Sequence, residues 1–205
     1  MITQVTATVS PEEETQALSQ GFLQIQDTWR QCRSTRVLLE QTQYTLLLSA
    51  EILTEWDHDQ LMDINTKYLT QRSYEFNPSD VQIAKTDTIW GYYHDAELIA
   101  WSRIHNYHGA KETAYFAWDS HNMKLRMGTK SLQHEIAWAK SLGDQYLYLG
   151  PGYESCSKYK SAIQGFQWWT GTEWSTDVEK YCWLCDRETG ICNFKDFQNL
   201  IYNAK

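Results

Sequence analysis

The stretch of sequence that most constrains the fold is a set of three strand-like segments between residues 88 and 118. Residues 88–93 and 98–104 are rich in β-branched and aromatic side chains, and His94-Asp-Ala-Glu97 between them has the composition of a tight turn. Residues 112–118 continue the same pattern. Because short connections join antiparallel neighbours, these segments predict a three-stranded meander.

The hydrophobic period then changes from that of a strand to that of a helix. Leu132, Ile136 and Ala139 lie at positions i, i+4 and i+7, and Gly143 follows where a helix would end. Residues 146–150 come directly afterwards and predict a buried strand. A meander, a crossing helix and a further strand predict an α+β fold with a mixed, mainly antiparallel sheet flanked by helices.

Weaker patterns predict the remaining elements. Residues 57–71 carry apolar side chains at helical spacing, and residues 158–163 predict a short helical turn. Residues 44–48 are strand-like, and residues 165–169 predict another strand. We interpret residues 181–194 as a C-terminal β-hairpin, since a turn-like segment separates two short apolar runs.

Length and charge limit the class of protein. The chain has 205 residues and a net charge of −8, and this length fits one domain, or one domain with a small N-terminal appendage. The negative charge argues against a protein that coats nucleic acid. Because the sequence has no run of about twenty apolar residues and no secretory signal, we expect a cytoplasmic protein that does not contact a membrane.

The cysteines predict free thiols rather than disulfides or a metal site. There are five of them, an odd number in a chain that we expect inside the cell. Cys182 and Cys185 have the spacing of half a zinc site. In the predicted hairpin, however, residues three apart point to opposite faces, whereas zinc requires its thiolates to converge. We therefore predict no metal site.

Basic side chains concentrate in two short segments despite the negative net charge. Lys124, Arg126 and Lys130 surround the predicted start of the long helix, where unpaired N–H groups favour an anion. Lys158 and Lys160 follow in the later segment. Spacing alone leaves two interpretations open for these five residues, a phosphate-binding patch and an ordinary solvated rim.

Four segments carry a resemblance to a known family. They are Gly91-Tyr-Tyr-His-Asp-Ala-Glu-Leu-Ile-Ala-Trp101, Phe116-Ala-Trp-Asp119, the stretch from Gly128-Thr-Lys-Ser-Leu to Tyr146-Leu-Tyr-Leu-Gly150, and Ser155-Cys-Ser-Lys-Tyr-Lys160. Together they resemble, in the right order, the C-terminal domain of the arginyl- and leucyl-tRNA–protein transferases. Further upstream, Gln31-Cys-Arg-Ser-Thr-Arg-Val37 is similar to part of the family's N-terminal domain. Of the paired cysteines in that domain, this chain keeps only Cys32.

The resemblance implies a fold, a reaction and partners. The fold is that of the GNAT acyltransferases. Because the resemblance fades before residue 55, it implies an N-terminal appendage, residues 1–54, that corresponds to a reduced N-terminal domain, and a main domain, residues 55–205. The reaction joins the aminoacyl group of a charged tRNA to an amine acceptor, the N-terminus of a protein or peptide. The resemblance implies no cofactor, since aminoacyl-tRNA is itself the co-substrate.

This implied reaction assigns roles to residues of the matching segments. Aminolysis of an ester needs an amine that has lost its proton and a donor to the leaving hydroxyl. We predict Glu135 as the base or as the residue that holds the substrate amine. We predict Tyr148 or Tyr153 as the donor to the leaving group or as a hydrogen-bond partner of the amino-acid group. The residues predicted to bind the substrate are Tyr115, Asp119, Gly150 and Gly152. The residues predicted to bind tRNA are Lys124, Arg126, Lys130, Lys158, Tyr159 and Lys160, with Tyr159 stacking on a base.

Structural interpretations of the same residues remain open. Glu135 could be an exposed carboxylate on the helix surface. Asp119 could cap the turn after its strand, and Tyr148 could be a core residue. His134, beside Glu135, is expected at the surface.

Three other functions are alternatives. The shortened N-terminal region favours a small amine acceptor, as in a cyclodipeptide synthase that uses charged tRNA. An acyl-coenzyme A-dependent N-acetyltransferase would share the fold, but Leu125 and Lys130 stand where GNAT enzymes have Gln or Arg and Gly or Ala to wrap the pyrophosphate. The third alternative is a binding module without activity.

Overall fold

The computed structural model describes residues 5–25, 28–73, 76, 81–119 and 124–188. Its strands are β1 (Val5–Ala7), β2 (Phe22–Ile25), β3 (Thr28–Gln31), β4 (Ser34–Leu38), β5 (Ala50–Ile52), β6 (Thr88–His94), β7 (Glu97–Tyr107), β8 (Ala110–Trp118), β9 (Tyr146–Pro151), β10 (Phe166–Trp169) and β11 (Trp174–Ser175). Its α-helices are α1 (Glu14–Ser19), α2 (His58–Arg72), α3 (Met127–Ser141) and α4 (Val178–Arg187). A 3-10 helix, Ser155–Ala162, occupies the position of the predicted helical turn.

The chain divides into two compact units, each built from separate stretches of sequence. The first unit takes Met1–Thr42, Tyr107–Ala110 and Gln145–Lys205. The second unit takes Gln43–Asn106 and Lys111–Asp144. The predicted division after residue 54 stays a prediction, and it does not coincide with these units.

The first unit contains strands in the order β11, β10, β4, β9, all paired antiparallel. β4 is a central strand of this group, since Val37 pairs with Phe166 on one side and with Leu147 on the other. The Val37 side chain is buried. A separate small sheet has the order β1, β3, β2. The residues that pack together near this small sheet include Leu18, Leu23, Trp29, Tyr107 and Tyr148.

The second unit contains strands in the order β5, β6, β7, β8, together with α2 and α3. The turn between β6 and β7 passes through Asp95 and Ala96, whose φ angles of 50° and 66° are those of a tight two-residue hairpin turn. The strands confirm the predicted meander. With the helices, they confirm the predicted α+β class with a mainly antiparallel sheet.

The structure also confirms the two long helices predicted for the second unit. α2 begins after Asp57, whose carboxylate accepts the N–H of Asp59 at 2.9 Å as an N-cap. α3 buries Leu132 and Ile136 on one face, and Gly143 follows it with a φ of 85°. In the described ranges, no helix is both long and apolar enough to cross a membrane.

The strand predicted for residues 44–48 is wrong, and the strand of this region is β5. Leu46 and Leu48 are 50% and 105% exposed, so this apolar run is not packed against the sheet. The N–H of Leu47 donates to a side chain, Nδ1 of His134, at 2.9 Å, instead of to a strand ladder.

The C-terminal hairpin predicted for residues 181–194 is wrong over the part that the structure describes. Asp177 caps α4 by accepting a main-chain N–H of the first turn at 2.9 Å. Tyr181, Leu184 and Cys185 are buried at positions i, i+3 and i+4, which is the spacing of a helix face. The short apolar run fits both periods, and packing selects the helix.

This correction also removes the argument that we drew from Cys182 and Cys185. On a helix, residues three apart lie on the same side rather than on opposite faces. The two thiols have different surroundings: Cys185 is buried, whereas Cys182 lies 3.4 Å from Oγ of Ser161. Residues 189–194 of the predicted hairpin lie outside the described residues.

A buried carboxylate, that of Asp87, fastens the segment before β6 to β7. Its Oδ1 lies 2.8 Å from Nδ1 of His105, and its Oδ2 accepts the N–H of Ala84 at 2.8 Å. The Asp87 side chain is 1% exposed. Its hydrogen bond raises the pKa of His105 above the ordinary value of 6.5.

We predict that the stabilisation contributed by His105 falls as the pH rises. Because the folded-state pKa lies above 6.5, the charged ring stabilises the fold fully below that pH and loses this effect as the pH passes the folded-state pKa. His105→Asn keeps a donor but does not titrate. Urea unfolding should therefore show a difference between wild type and variant that shrinks between about pH 5.5 and about pH 9. A difference that grows with pH would contradict the prediction.

Candidate active site

The second unit buries a carboxyl group, that of Glu135, in the middle of α3. The residue is 3% exposed, and its Oε1 accepts the hydroxyl proton of Tyr92 at 3.1 Å. The Tyr92 hydroxyl also lies 3.1 Å from Oγ of Ser102. Burial raises the pKa of Glu135 to about 7, against the lowering effect of the hydrogen bonds with Ser102 and Tyr92. The interpretation as an exposed carboxylate is therefore wrong, and the group can take up or release a proton near neutral pH.

His134, next to Glu135, is buried at 1% exposure and does not lie at the surface as expected. Its Nδ1 accepts the N–H of Leu47, so the ring proton lies on Nε2. The ring meets that of Trp90 edge-on at a centroid distance of 4.3 Å. Burial lowers the pKa of His134 to about 4. The side chain is therefore neutral and holds the segment before β5 against α3.

The two residues of the second unit that we predict to bind substrate, Tyr115 and Asp119, both contact α2. The hydroxyl of Tyr115 donates to Oδ1 of the buried Asn65. Oδ2 of Asp119 lies 3.1 Å from Nζ of Lys67, and this contact, after a larger effect from Asp63, raises the pKa of the lysine. These contacts are structural, and the roles of Tyr115 and Asp119 in binding substrate stay predictions.

Three predicted tRNA-binding residues, Lys124, Arg126 and Lys130, are exposed around the first turn of α3. That turn contains no acidic residue, so no side chain within it opposes an anion. Gly128 is exposed, and a Cβ built on it would lie 3.7 Å from the ring of Phe116, in ordinary van der Waals contact. Exposed cations and the positive end of a helix thus lie together. Their contact with phosphate stays a prediction.

In the first unit, the predicted Gly150–Gly152 bend ends β9. Gly150 has a φ of 73°, and its carbonyl accepts the hydroxyl proton of Thr35 at 2.8 Å. A Cβ on Gly152 would lie 2.5 Å from Cγ2 of Thr35 and 2.6 Å from the hydroxyl of Tyr181. The absence of a side chain at Gly152 therefore serves contact with the protein's own β4 and α4.

The two tyrosines predicted as proton donors have different surroundings. Tyr148 is 2% exposed and packs in the core, as its structural interpretation states. Tyr153 is half-buried, and its hydroxyl accepts the N–H of Arg33 at 2.8 Å. Burial raises the pKa of both phenols, so both keep their protons at neutral pH. Because the Tyr153 hydroxyl accepts this hydrogen bond, its own proton is directed elsewhere.

A buried ion pair joins Arg33, the residue before β4, to Glu188, the residue after α4. Nε of Arg33 donates to the carbonyl of Gly152 at 2.8 Å, and Oε2 of Glu188 accepts the N–H of Glu154 at 2.7 Å. The pair therefore holds the chain after the bend from two sides. Our sequence reasoning missed both residues, although Arg33 lies in the Gln31–Val37 motif that carries part of the resemblance.

The predicted tRNA-binding residues of the 3-10 helix divide between surface and interior. Tyr159 is 60% exposed, and Lys158 lies at the surface with its Nζ 2.8 Å from a carboxylate oxygen of Asp186. Lys160, in contrast, is 7% exposed. Its Nζ donates to the carbonyls of Leu149 and Pro151 at 2.5 and 2.9 Å. The position of Lys160 therefore contradicts the predicted phosphate contact, because its ammonium is directed at main-chain oxygens.

Comparisons with known proteins address the family. The sequence model of the family described as "Arginine-tRNA-protein transferase, C terminus" matches residues 43–170, more than half of the chain. A search of curated proteins gives no match.

Two solved structures show a partial likeness to this chain. A GCN5-related N-acetyltransferase from Kribbella flavida has a TM-score of 0.40 and 14% identity, over 59% of this chain and 48% of its own. The C-terminal domain (DUF2156) of a lysylphosphatidylglycerol synthetase from Agrobacterium fabrum has a TM-score of 0.42 and 10% identity, over 94% of this chain and 62% of its own. The chain thus spans about half of the first structure and about three fifths of the second.

We predict that Lys160→Met lowers the free energy of unfolding by about 1–3 kcal/mol, because two main-chain carbonyls lose their buried donor. Lys158→Met is the matched control, since the lysine two residues earlier is at the surface, and its unfolding midpoint should not change. Urea denaturation of both variants checks this. Equal midpoints for Lys160→Met and wild type would show that the carbonyls do not depend on the ammonium.

Proposed function

Because the chain belongs to the arginine-tRNA-protein transferase family, through the C-terminal domain that residues 43–170 match, we propose that it transfers an aminoacyl group from a charged tRNA to an amine acceptor. The match confirms the resemblance that the sequence motifs indicate. It includes Glu135, the basic residues at the start of α3 and the bend after β9, and it is the observation that carries the proposal.

The proposed reaction is the aminolysis of an ester. The acceptor nitrogen forms a bond to the carbonyl carbon of the aminoacyl group, and the bond from that carbon to the terminal ribose oxygen breaks. The amine loses a proton and the ribose oxygen gains one. Because the ester is already activated, the protein has to position the two substrates and move these protons. No metal or further cofactor is required. The reaction belongs in the cytoplasm, where charged tRNA is available.

Glu135 is the proposed proton acceptor. An α-amine has a pKa of about 8, so a base with a pKa near 7 is well matched to it. Burial gives the Glu135 carboxyl group this property, and the Tyr92 hydroxyl 3.1 Å away keeps it oriented. The charged form of Glu135 is the one that accepts the proton, and it predominates above about pH 7.

Tyr153 is the proposed donor to the leaving ribose oxygen, and Tyr148 is the second choice. Both phenols are protonated at neutral pH, because burial raises the pKa of each. Tyr153 is half-buried, whereas Tyr148 is 2% exposed within the core. The acceptor that we propose is the N-terminus of a protein or peptide. The family does not fix whether an arginyl or a leucyl group is transferred.

The transfer proposal is tested by incubating the purified protein with pools of charged tRNA and a mixture of peptides with different N-terminal residues. We expect deacylation of one charged tRNA that depends on the peptide, with the amino acid recovered on its N-terminus. Glu135→Gln should lower the rate by about a hundredfold or more and remove the rise in rate with pH near 7.

Glu179→Gln, which changes an exposed carboxylate on α4, is the control and should leave both the rate and the pH profile unchanged. Turnover of an acyl-coenzyme A, with no response to charged tRNA, would overturn the proposal. A product on a small amine but not on any peptide would instead assign the acceptor to the alternative class.

We also predict that the cations at the start of α3 contribute to tRNA binding. Replacing Lys124, Arg126 and Lys130 together by Ala should weaken binding and reduce the slope of log K against log salt by about 2–3, since each phosphate contact contributes nearly one unit. A control that replaces three other exposed cations, Arg72, Lys85 and Lys180, should change the slope little. Filter binding over a range of salt concentrations measures both, and equal slopes would exclude the α3 cations from the interface.

A further inference from the structure

Arg36, on β4 of the first unit, places its guanidinium group between two aromatic rings. The residue is 6% exposed. Its Cζ lies 3.6 Å from the ring centroid of Tyr146 and 3.9 Å from that of Trp174. Its Nε donates to Oε1 of Gln167, at 2.8 Å, on the neighbouring strand β10. The two rings therefore cover the two faces of the guanidinium, and Gln167 occupies one edge.

Among the described residues, the charge of Arg36 is not balanced by an acid. In the ranges that the structure describes, no carboxylate pairs with Arg36, whereas Arg33, three residues earlier, pairs with Glu188. Ring faces and an amide oxygen attract a cation without neutralising it. A buried ion is costly unless it has a partner of opposite charge. Burial also lowers the pKa of Arg36, although the nearby Tyr148 opposes this effect.

The geometry restricts how a partner can approach. With both faces stacked and Nε bonded to Gln167, the other N–H donors of Arg36 are on its two Nη groups, and one of these donors is hydrogen-bonded to Tyr148. Two parallel N–H donors in one plane match the two oxygens of a carboxylate or of a phosphate. Tyr148, opposite Arg36 on the neighbouring strand β9, takes one Nη donor and leaves the others for an anion.

The walls of this position are fixed by the rest of the first unit. The indole N–H of Trp174 donates to the carbonyl of Ser19 at 2.7 Å. Trp169, which pairs with Trp174, packs so closely on Gly21 that a Cβ there would lie 2.3 Å from its ring. Tyr146, Gln167 and Trp174 are each half-buried, so the rim of the position reaches the surface.

We propose that the Nη edge of Arg36 is an oxyanion-binding site, which takes one carboxylate or phosphate group in the plane between Tyr146 and Trp174. The proposal uses none of the residues to which we assign roles in transfer, apart from Tyr148 beside the site. It stands or falls independently of the transfer reaction, since binding is measured without turnover.

The test is a calorimetric titration of the full chain with two probes, N-acetylglycine and inorganic phosphate, at constant ionic strength maintained with sodium chloride. We expect saturable binding of at least one probe to the wild type. Arg36→Met, which keeps the length of the side chain without its charge, should weaken that binding by about tenfold or more. Arg36→Lys keeps the charge but loses the paired donors, and it should fall between the two. Arg72→Met, at an exposed position, should bind as the wild type does.

The source of the anion follows from a parallel measurement of uncharged tRNA binding. Weaker phosphate and tRNA binding by Arg36→Met assigns the site to the RNA backbone. Weaker N-acetylglycine binding with unchanged tRNA binding assigns it to the carboxylate of an acceptor or small molecule. Absence of saturable binding of either probe to the wild type would overturn the proposal, even if Arg36→Met fails to fold. Equal binding by wild type and a folded Arg36→Met would overturn it as well.

Discussion

The ammonium group of Lys160 stabilises the bend on which the first unit depends. At this bend, which ends β9, Gly150 has a positive φ and Pro151 has no N–H to donate. Pro151 still lies opposite Ser34 of β4, but the register of the ladder shifts between Ser34 and Arg36. The carbonyl groups of this segment are inside the protein and need donors. Lys160 donates to the carbonyls of Leu149 and Pro151, and Thr35 donates to that of Gly150. The Lys160 ammonium, for which the sequence predicts a phosphate contact, thus supplies hydrogen bonds to the main chain of its own unit.

Strand β4 and the residue before it place polar side chains on both faces of the sheet in the first unit. Successive residues of a strand point to opposite faces. Arg33 and Thr35 reach the bend after β9, where Gly152 has no room for a side chain. Arg36 points to the other face and stacks between Tyr146 and Trp174. The segment 31–37, for which the sequence motif predicts a relation to the family's N-terminal domain, is therefore integral to the unit.

What the sequence predicts correctly is set by local periodicity. The meander and α3 follow from regular alternation and from the spacing of Leu132, Ile136 and Ala139. The burial of Glu135 can also be predicted from the sequence, since Glu135 lies three residues after Leu132 on the same helix face. What it does not predict depends on partners far away in the chain. The ammonium of Lys160 finds carbonyls that exist only once the bend has formed.

Two adjacent titratable residues on α3, His134 and Glu135, show how one buried surface favours neutral forms of opposite kinds. Burial lowers the pKa of the histidine to about 4 and raises that of the glutamic acid to about 7. Between about pH 4 and about pH 7 both side chains are mostly neutral, so α3 packs on the sheet with little buried charge. His134 stays neutral as the pH rises further, because burial holds its pKa at about 4. Only Glu135 then gains a negative charge, and the Tyr92 hydroxyl donates to it. The deprotonation of an amine requires a base of this kind, which becomes active near neutral pH.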